Sequence, residues 1–236
     1  MRYNKFKQPI GDSMDHFTEG QSPQIKQLIG QYTVVKKLDA EILKNPQYLE
    51  DLWQLYGSES PLQYWTYLPI EPFSNKQTLY SYLTDMVQSQ DPYYLAIFDK
   101  QTDKLLGTFA LMRIDRQNRV IEMGWVIYSE QLQRSRIATE AQFLVMQYVF
   151  ETLQYRRYEW KCDSLNQPSY RCAERLGFRH EGTFRQLVVY KQRSRDTAWF
   201  SLLDCEWQAN KQRLKKWLNP NNFDENGQQI LALGKC

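Results

Sequence analysis

The segment that most constrains this chain is Leu132 to Ala141, read Leu-Gln-Arg-Ser-Arg-Ile-Ala-Thr-Glu-Ala. It joins a strand-like stretch, Val120 to Tyr128, to a helix-like stretch that continues to about Leu153. A helix beginning there directs unpaired backbone N–H groups out of its first turn. Those donors, with the positive end of the helix dipole, suit a phosphate or diphosphate. Arg134 and Arg136 flank the turn and add cations. A nucleotide-like ligand at a strand-to-helix junction is therefore the first expectation.

The neighbouring segments limit which ligand it is. Residues 1–30 carry Gly, Pro, Ser and Gln without sustained periodicity and read as an irregular arm. Tyr32 to Lys37 reads as a strand, and Leu49, Leu52, Trp53 and Tyr56 fall at helical spacing with Gly57 as a stop. Ser58 to Phe73 is a Pro- and aromatic-rich loop, and a helix through Leu79, Leu83 and Met86 follows Ser74-Asn75. Strands are predicted over 93–98, 105–113 and 120–128, then near 158–162, 182–191 and 197–204. Pro168 to Leu176 is a helix with Pro in its first turn and Gly177 at its end. Glu206 to Leu218 is the last helix, and the tail 219–236 is rich in Asn, Gly and Gln. This order predicts a mixed α/β domain over 31–218, neither a doubly wound sheet nor a sandwich. G-x-G-x-x-G and G-x-x-x-x-G-K-[ST] are both absent, which disfavours Rossmann and P-loop sites.

Charge and cysteine usage exclude other classes. A net charge of +3, from 30 basic and 27 acidic residues, gives no concentrated basic stripe for nucleic acid. No stretch approaches the ~20 apolar residues of a membrane span, and Met1 to Pro9 lacks a signal-peptide core. The expected location is the cytoplasm. The four cysteines show no C-x-x-C spacing and only His16 and His180 accompany them, so no metal site is expected.

The motifs in order resemble the GNAT N-acetyltransferases. Gln133-x-x-Arg136-x-Ala138 is similar to that family's Gln/Arg-x-x-Gly-x-Gly/Ala loop. Thr139-Glu140-Ala141 resembles the helix start of the RimJ/RimL-like branch, which acetylates ribosomal-protein N-termini. Trp65 to Pro69, Asn166-x-x-Ser169, Arg175 to Phe178, Glu181-Gly182, Arg195 to Thr197 and Leu203-Asp204-x-Glu206-Trp207 are collinear with it over about 30–218. The resemblance implies a GNAT fold, a mostly antiparallel mixed sheet whose strands near 120–128 and 158–162 splay into a V. Acetyl-CoA would lie in that V as co-substrate. Its pantetheine would pair with the strand at Val126 and Tyr128. Its diphosphate would sit on Gln133, Arg134, Ser135, Arg136, Ile137, Ala138 and Thr139. A bulge near Met123 to Trp125 would aim one N–H at the thioester carbonyl. Arg136 stands where the family prefers glycine, so its φ is expected to stay negative.

The chemistry expected is direct attack by an amine, with no metal. Glu122, in the strand and out of phase with Ile121 and Met123, is a candidate base; a structural salt bridge is the competing reading. Asn166 is the family's pantetheine-holding Asn, and Ser169 matches the serine proposed to protonate the thiolate. Helix capping competes for both. Many relatives instead place a Tyr where Ala173 stands here, which leaves Tyr170 or water as alternative acids. Tyr64, Trp65, Tyr67 and Trp125 are candidates for the acceptor cavity, and Asp196 for orienting the amine, with core packing and turn formation as alternatives. The acceptor is expected to be a protein N-terminus or a small-molecule amine, without nucleic acid or membrane, in a monomer or homodimer. A non-catalytic acyl-CoA sensor is the reading from another class.

Overall fold

A computed structural model describes residues 1–236. The chain begins with a short hairpin, β1 (Arg2–Tyr3) and β2 (Pro9–Ile10). β3 (Gln27–Ile29) and β4 (Thr33–Lys37) follow. Then come α1 (Ala40–Lys44), α2 (Pro46–Tyr56) and α3 (Lys76–Gln88). β5 (Tyr93–Asp99), β6 (Leu105–Asp115) and β7 (Val120–Tyr128) form a meander that leads into α4 (Arg136–Gln147). β8 (Arg157–Asp163), α5 (Gln167–Leu176), β9 (Arg179–Tyr190), β10 (Arg193–Leu203) and α6 (Asp204–Leu218) complete the order.

Side-chain caps start the helices where polar residues precede helical spacing. The Asn75 side chain accepts from the Thr78 amide at the head of α3, and Asn45 does the same for α2, which has Pro46 in its first turn. α5 ends at Gly177 with φ +102°, the left-handed C-cap that glycine adopts without strain. α4 runs into a π-helical turn over 148–152. Three features exceed the sequence expectation: α1 is an extra short helix, and within the arm β1 pairs with β2 and residues 27–29 pair with β4 instead of remaining irregular.

One eight-stranded sheet, ordered β3-β4-β5-β6-β7-β8-β10-β9, organises the molecule. Every neighbouring pair is antiparallel except β7 and β8. On one face Ile121, Met123, Tyr158, Trp160 and Phe200 form a core with Ala141, Val145 and Trp207 of α4 and α6. On the other face Tyr94, Phe98 and Ala110 pack beneath Leu52, Leu55 and Leu83 of α2 and α3. Strand alternation therefore sends Glu122 of β7 and Arg157, Glu159 and Lys161 of β8 to the face opposite α4.

Candidate active site

The β7–β8 ladder is short. It pairs Val120 with Arg157 and ends at Met123 with Trp160. Beyond that point β7 continues to Tyr128 and β8 to Asp163 without pairing each other. The backbone of residues 124–128 thus offers an unpaired strand edge inside the sheet, the condition for an added strand.

β7 is bulged where the split begins. Its register with β6 shifts between the pairs Ala110–Gly124 and Thr108–Ile127, so β7 carries one extra residue. The strained residue is Trp125, at φ +50°, and not the glycine beside it. Gly124 serves close packing, because a Cβ there would lie 2.3 Å from the Met112 sulfur.

The turn after β7 delivers the helix start. Gln133 Nε2 donates to the Tyr128 carbonyl at 3.3 Å, which holds the turn against the strand end. Arg134 takes the left-handed conformation, φ +58°, so the positive φ falls two residues before Arg136. Arg136 is the first residue of α4, as the expectation of a negative φ requires. Ser135 is the N-cap: its Oγ accepts from the Ala138 amide at 3.1 Å. The Thr139 amide reaches the Ser135 carbonyl at 3.4 Å. The amides of Arg134, Arg136 and Ile137 have no partner in the chain, leaving three donors at the positive end of the helix.

The side chains of this turn divide their roles. The Arg136 guanidinium lies 4.4 Å from the Tyr32 ring centroid and 5.4 Å from that of Phe223, so aromatic faces hold its charge beside the helix start. Thr139 Oγ1 accepts from Arg175 at 2.8 Å, a cation that the sequence reading gave no role. Ile137 and Val126 pack against the larger core. The Tyr128 hydroxyl accepts from Gln142 at 2.8 Å, and burial pushes its pKa up, so it stays a neutral phenol.

The β8–α5 junction borders the opening. Asn166 caps α5, its Oδ1 accepting from the Ser169 amide at 3.2 Å, while its Nδ2 has no partner. Ser169 Oγ accepts from the Trp160 indole N–H at 3.0 Å, which ties it to the residue where the ladder ends. Burial pushes the neighbouring Cys162 thiol up to about 11, which makes it a poor nucleophile. Ala173 is fully buried in core, and Tyr170 packs edge-on against Phe200 with centroids 4.7 Å apart.

Glu122 is buried, and its Oε2 meets Lys161 Nζ at 2.7 Å and Arg113 Nε at 3.3 Å. Its Oε1 makes no hydrogen bond and lies 3.9 Å from where a Cβ on Gly124 would stand, next to the bulge. Burial raises the Glu122 pKa above the usual carboxylate range against the pull of Lys161 and Arg113. Burial also opposes ionisation of Glu159, yet hydrogen bonds from Lys161 and Arg157 outweigh it and hold that carboxyl low. Two neighbouring carboxylates are thus driven apart in acidity, the pattern of divided acid–base roles.

One side of the opening is roofed by three tied segments. Lys191 donates to the Trp65 carbonyl at 2.8 Å and Arg193 to the Thr66 carbonyl at 2.5 Å. Tyr67 donates to the Leu165 carbonyl at 3.1 Å. Trp65 is buried core, Tyr64 and Trp125 pack partly against that core, and Tyr67 alone of the four bridges the opening. Asp196 accepts from the Gln186 amide at 2.7 Å, so it braces β9. A cavity of about 410 Å³ borders Ser129 to Gln131 but includes none of the helix-start residues. That cavity is likewise not lined by Glu122.

Comparison with known proteins settles the family. Residues 42–179 match the family described as acetyltransferase (GNAT) domain. The chain is a GNAT N-acetyltransferase. A GCN5-related N-acetyltransferase from Brucella melitensis is 44% identical, covers 94% of this chain and 98% of its own, and superposes with TM-score 0.88. A putative ribosomal N-acetyltransferase, YdaF from Bacillus subtilis, is 32% identical over 45% of this chain and 58% of its own. The Microcin C7 self immunity acetyltransferase MccE, solved with acetyl-CoA and AMP, shares the fold at TM-score 0.64 and 22% identity, covering 74% of this chain and 93% of its own. The mostly antiparallel sheet is that of GNAT structures. No helix is long and apolar enough to cross a membrane.

In this GNAT chain the sequence reading missed Lys161 and Trp160. The signal was present in Arg-Tyr-Glu-Trp-Lys-Cys-Asp over 157–163, where charged and apolar residues alternate strictly. That alternation places one set of charges on the face shared with Glu122.

Proposed function

We propose that this GNAT enzyme moves an acetyl group from acetyl-CoA onto a primary amine by direct attack, and that the acceptor is a protein or peptide α-amino group. One observation carries the reading. The strand pairing splits at Met123 and Trp160 between three free helix-start amides and a buried carboxylate with one free oxygen. The residues fit a diphosphate-bearing thioester: amides for the diphosphate and an open strand edge for the amide-containing arm.

Acetyl-CoA supplies the activated acyl group and a thiolate leaving group. The amides of Arg134, Arg136 and Ile137 would hold the diphosphate, with Gln133, Ser135, Ala138 and Thr139 shaping the turn. The free edge at Val126 and Tyr128 and the Asn166 Nδ2 would hold the pantetheine. Glu122 Oε1 would draw a proton from the acceptor ammonium, directly or through water. Trp160 occupies a lone pair of Ser169 Oγ, so the serine hydroxyl keeps its own proton for donation toward the departing sulfur. The relative YdaF, by its name, supports a ribosomal-type acceptor, and MccE supports acetyl-CoA as donor.

The test is thiol release from acetyl-CoA across N-terminal peptides, polyamines and amino-sugar antibiotics. Release that depends on peptides, with the acetyl group located on the α-nitrogen by mass spectrometry, is expected. Turnover with small amines alone would reassign the acceptor. Saturable CoA binding with no acceptor-dependent release would make the chain a sensor, the reading that the absent Tyr at Ala173 favours.

A further inference from the structure

The charged face under the V is a continuous ladder. Arg113 of β6 meets Glu122 of β7, and Glu122 meets Lys161 of β8. Lys161 meets Glu159 at 2.8 Å, Glu159 meets Arg157 at 2.7 Å, and Arg157 reaches Glu181 of β9 at 2.5 Å. Glu181 then accepts from Ser201 of β10 at 2.6 Å. Lys161 is the hinge of this ladder. It is nearly buried, shared by two carboxylates, and its Nζ sits 3.6 Å from the centre of the Trp199 ring.

We propose that Lys161 is a positioning residue that fixes the charge state and direction of Glu122. This deepens the reading of Glu122 as proton acceptor and rests on it. A carboxylate this buried takes up a proton readily unless a cation stands against it. Lys161 supplies that cation and engages only Oε2, so Oε1 is left facing the bulge. Glu159 acts in the opposite sense: as a nearby anion it disfavours the charge on Glu122, but it also anchors the far side of Lys161. Arg113 is largely exposed, so solvent screens it more than Lys161.

The experiment follows Glu122 directly and through the rate. The carboxyl of Glu122 is titrated by carbon NMR in the free protein, assigned with Glu122→Gln, alongside the pH profile of kcat/KM. In Lys161→Met the titration and the acid limb are expected to move to higher pH by about one unit or more. In Lys161→Arg, which keeps the cation, they are expected to return close to the parent values. In Glu159→Gln, which removes the neighbouring anion, they are expected to move to lower pH. Opposite shifts in the two charge-removing variants are the signature, because simple loss of packing would not change sign with the charge removed. Unmoved Glu122 titration in Lys161→Met, with the fold intact by circular dichroism, overturns the proposal. Shifts in the titration without shifts in the rate profile would instead remove Glu122 from the proton-acceptor role and leave the Lys161 coupling standing.

Discussion

At the residue scale, two side chains carry the proposed chemistry and each makes a separable prediction. Glu122→Gln keeps shape and a hydrogen bond to Lys161 but cannot take a proton. Turnover is expected to fall about 100-fold or more, with acetyl-CoA affinity changed less than about twofold. Equal rates across pH 6 to 9 for the two proteins would assign Glu122 a purely structural place. Ser169→Ala is expected to lower kcat by about tenfold while leaving the Asn166 cap in place, since that cap uses the serine amide. Unchanged kcat would leave water or Tyr170 as the proton source. Glu122 became a candidate from strand phase and Ser169 from the family resemblance. Their partners were not legible, because Lys161 lies 39 residues from Glu122 in sequence and meets it only when β7 and β8 pair.

At the element scale, the helix start is held from behind as well as capped in front. The Glu140 carboxylate, one turn into α4, accepts from the amides of Gln31, Tyr32 and Thr33 at 2.7, 2.7 and 2.8 Å. It therefore clamps the β3–β4 turn to the helix, and Gly30 is required beside it because a Cβ would lie 2.4 Å from that carboxylate. Glu140→Ala leaves three amides without their acceptor and is expected to cost roughly 2–4 kcal/mol of stability in a urea titration. A loss below about 0.5 kcal/mol would mean that water replaces the carboxylate without penalty. The Thr139-Glu140-Ala141 motif was visible in the sequence, but its mechanical reason was not. The three amides lie more than 100 residues upstream and converge through the sheet.

At the scale of the whole molecule, the ends differ in how they join the body. Residues 1–15 hydrogen-bond only within the arm, and Tyr3, Phe6 and Met14 are exposed. The tail instead buries Leu233 and receives Arg213 and Trp217 through Leu233 O and Gln229 Oε1. Deleting 1–15 is expected to change Tm by less than about 2 °C, whereas deleting 219–236 is expected to lower it by several degrees. Equal Tm losses would contradict this division. Acid also acts on the whole sheet. The hydrogen bond from Arg157 holds Glu181 at about 2, and Glu159 is likewise depressed. A depressed carboxylate stabilises the fold above its unfolded value, and that contribution is lost as pH falls through its folded value. Stability is therefore expected to decline between about pH 4.5 and 2. Glu122, being raised, works in the other direction, and its contribution is complete above about pH 4.5, before that decline begins. Glu181→Gln should flatten the acid limb of Tm against pH; an unchanged slope would show the Arg157 pair to be thermodynamically silent.

The sequence by itself determined most of the elements and an anion-suited helix start after β7. Periodicity, prolines, glycines and caps act over a few residues, so Asn75 at the head of α3 and Gly177 at the end of α5 are local facts. Tertiary structure decided which charges meet. It moved the left-handed residue of the turn to Arg134, put the strain of the bulge on Trp125 instead of Gly124, and set Arg136 against Tyr32 and Phe223. It also turned Glu122 from an isolated candidate into one carboxylate of a buried ladder. Strand phase fixes only the face on which a side chain lies. The partner it finds there depends on register between strands far apart in the chain, and register is a property of the folded sheet.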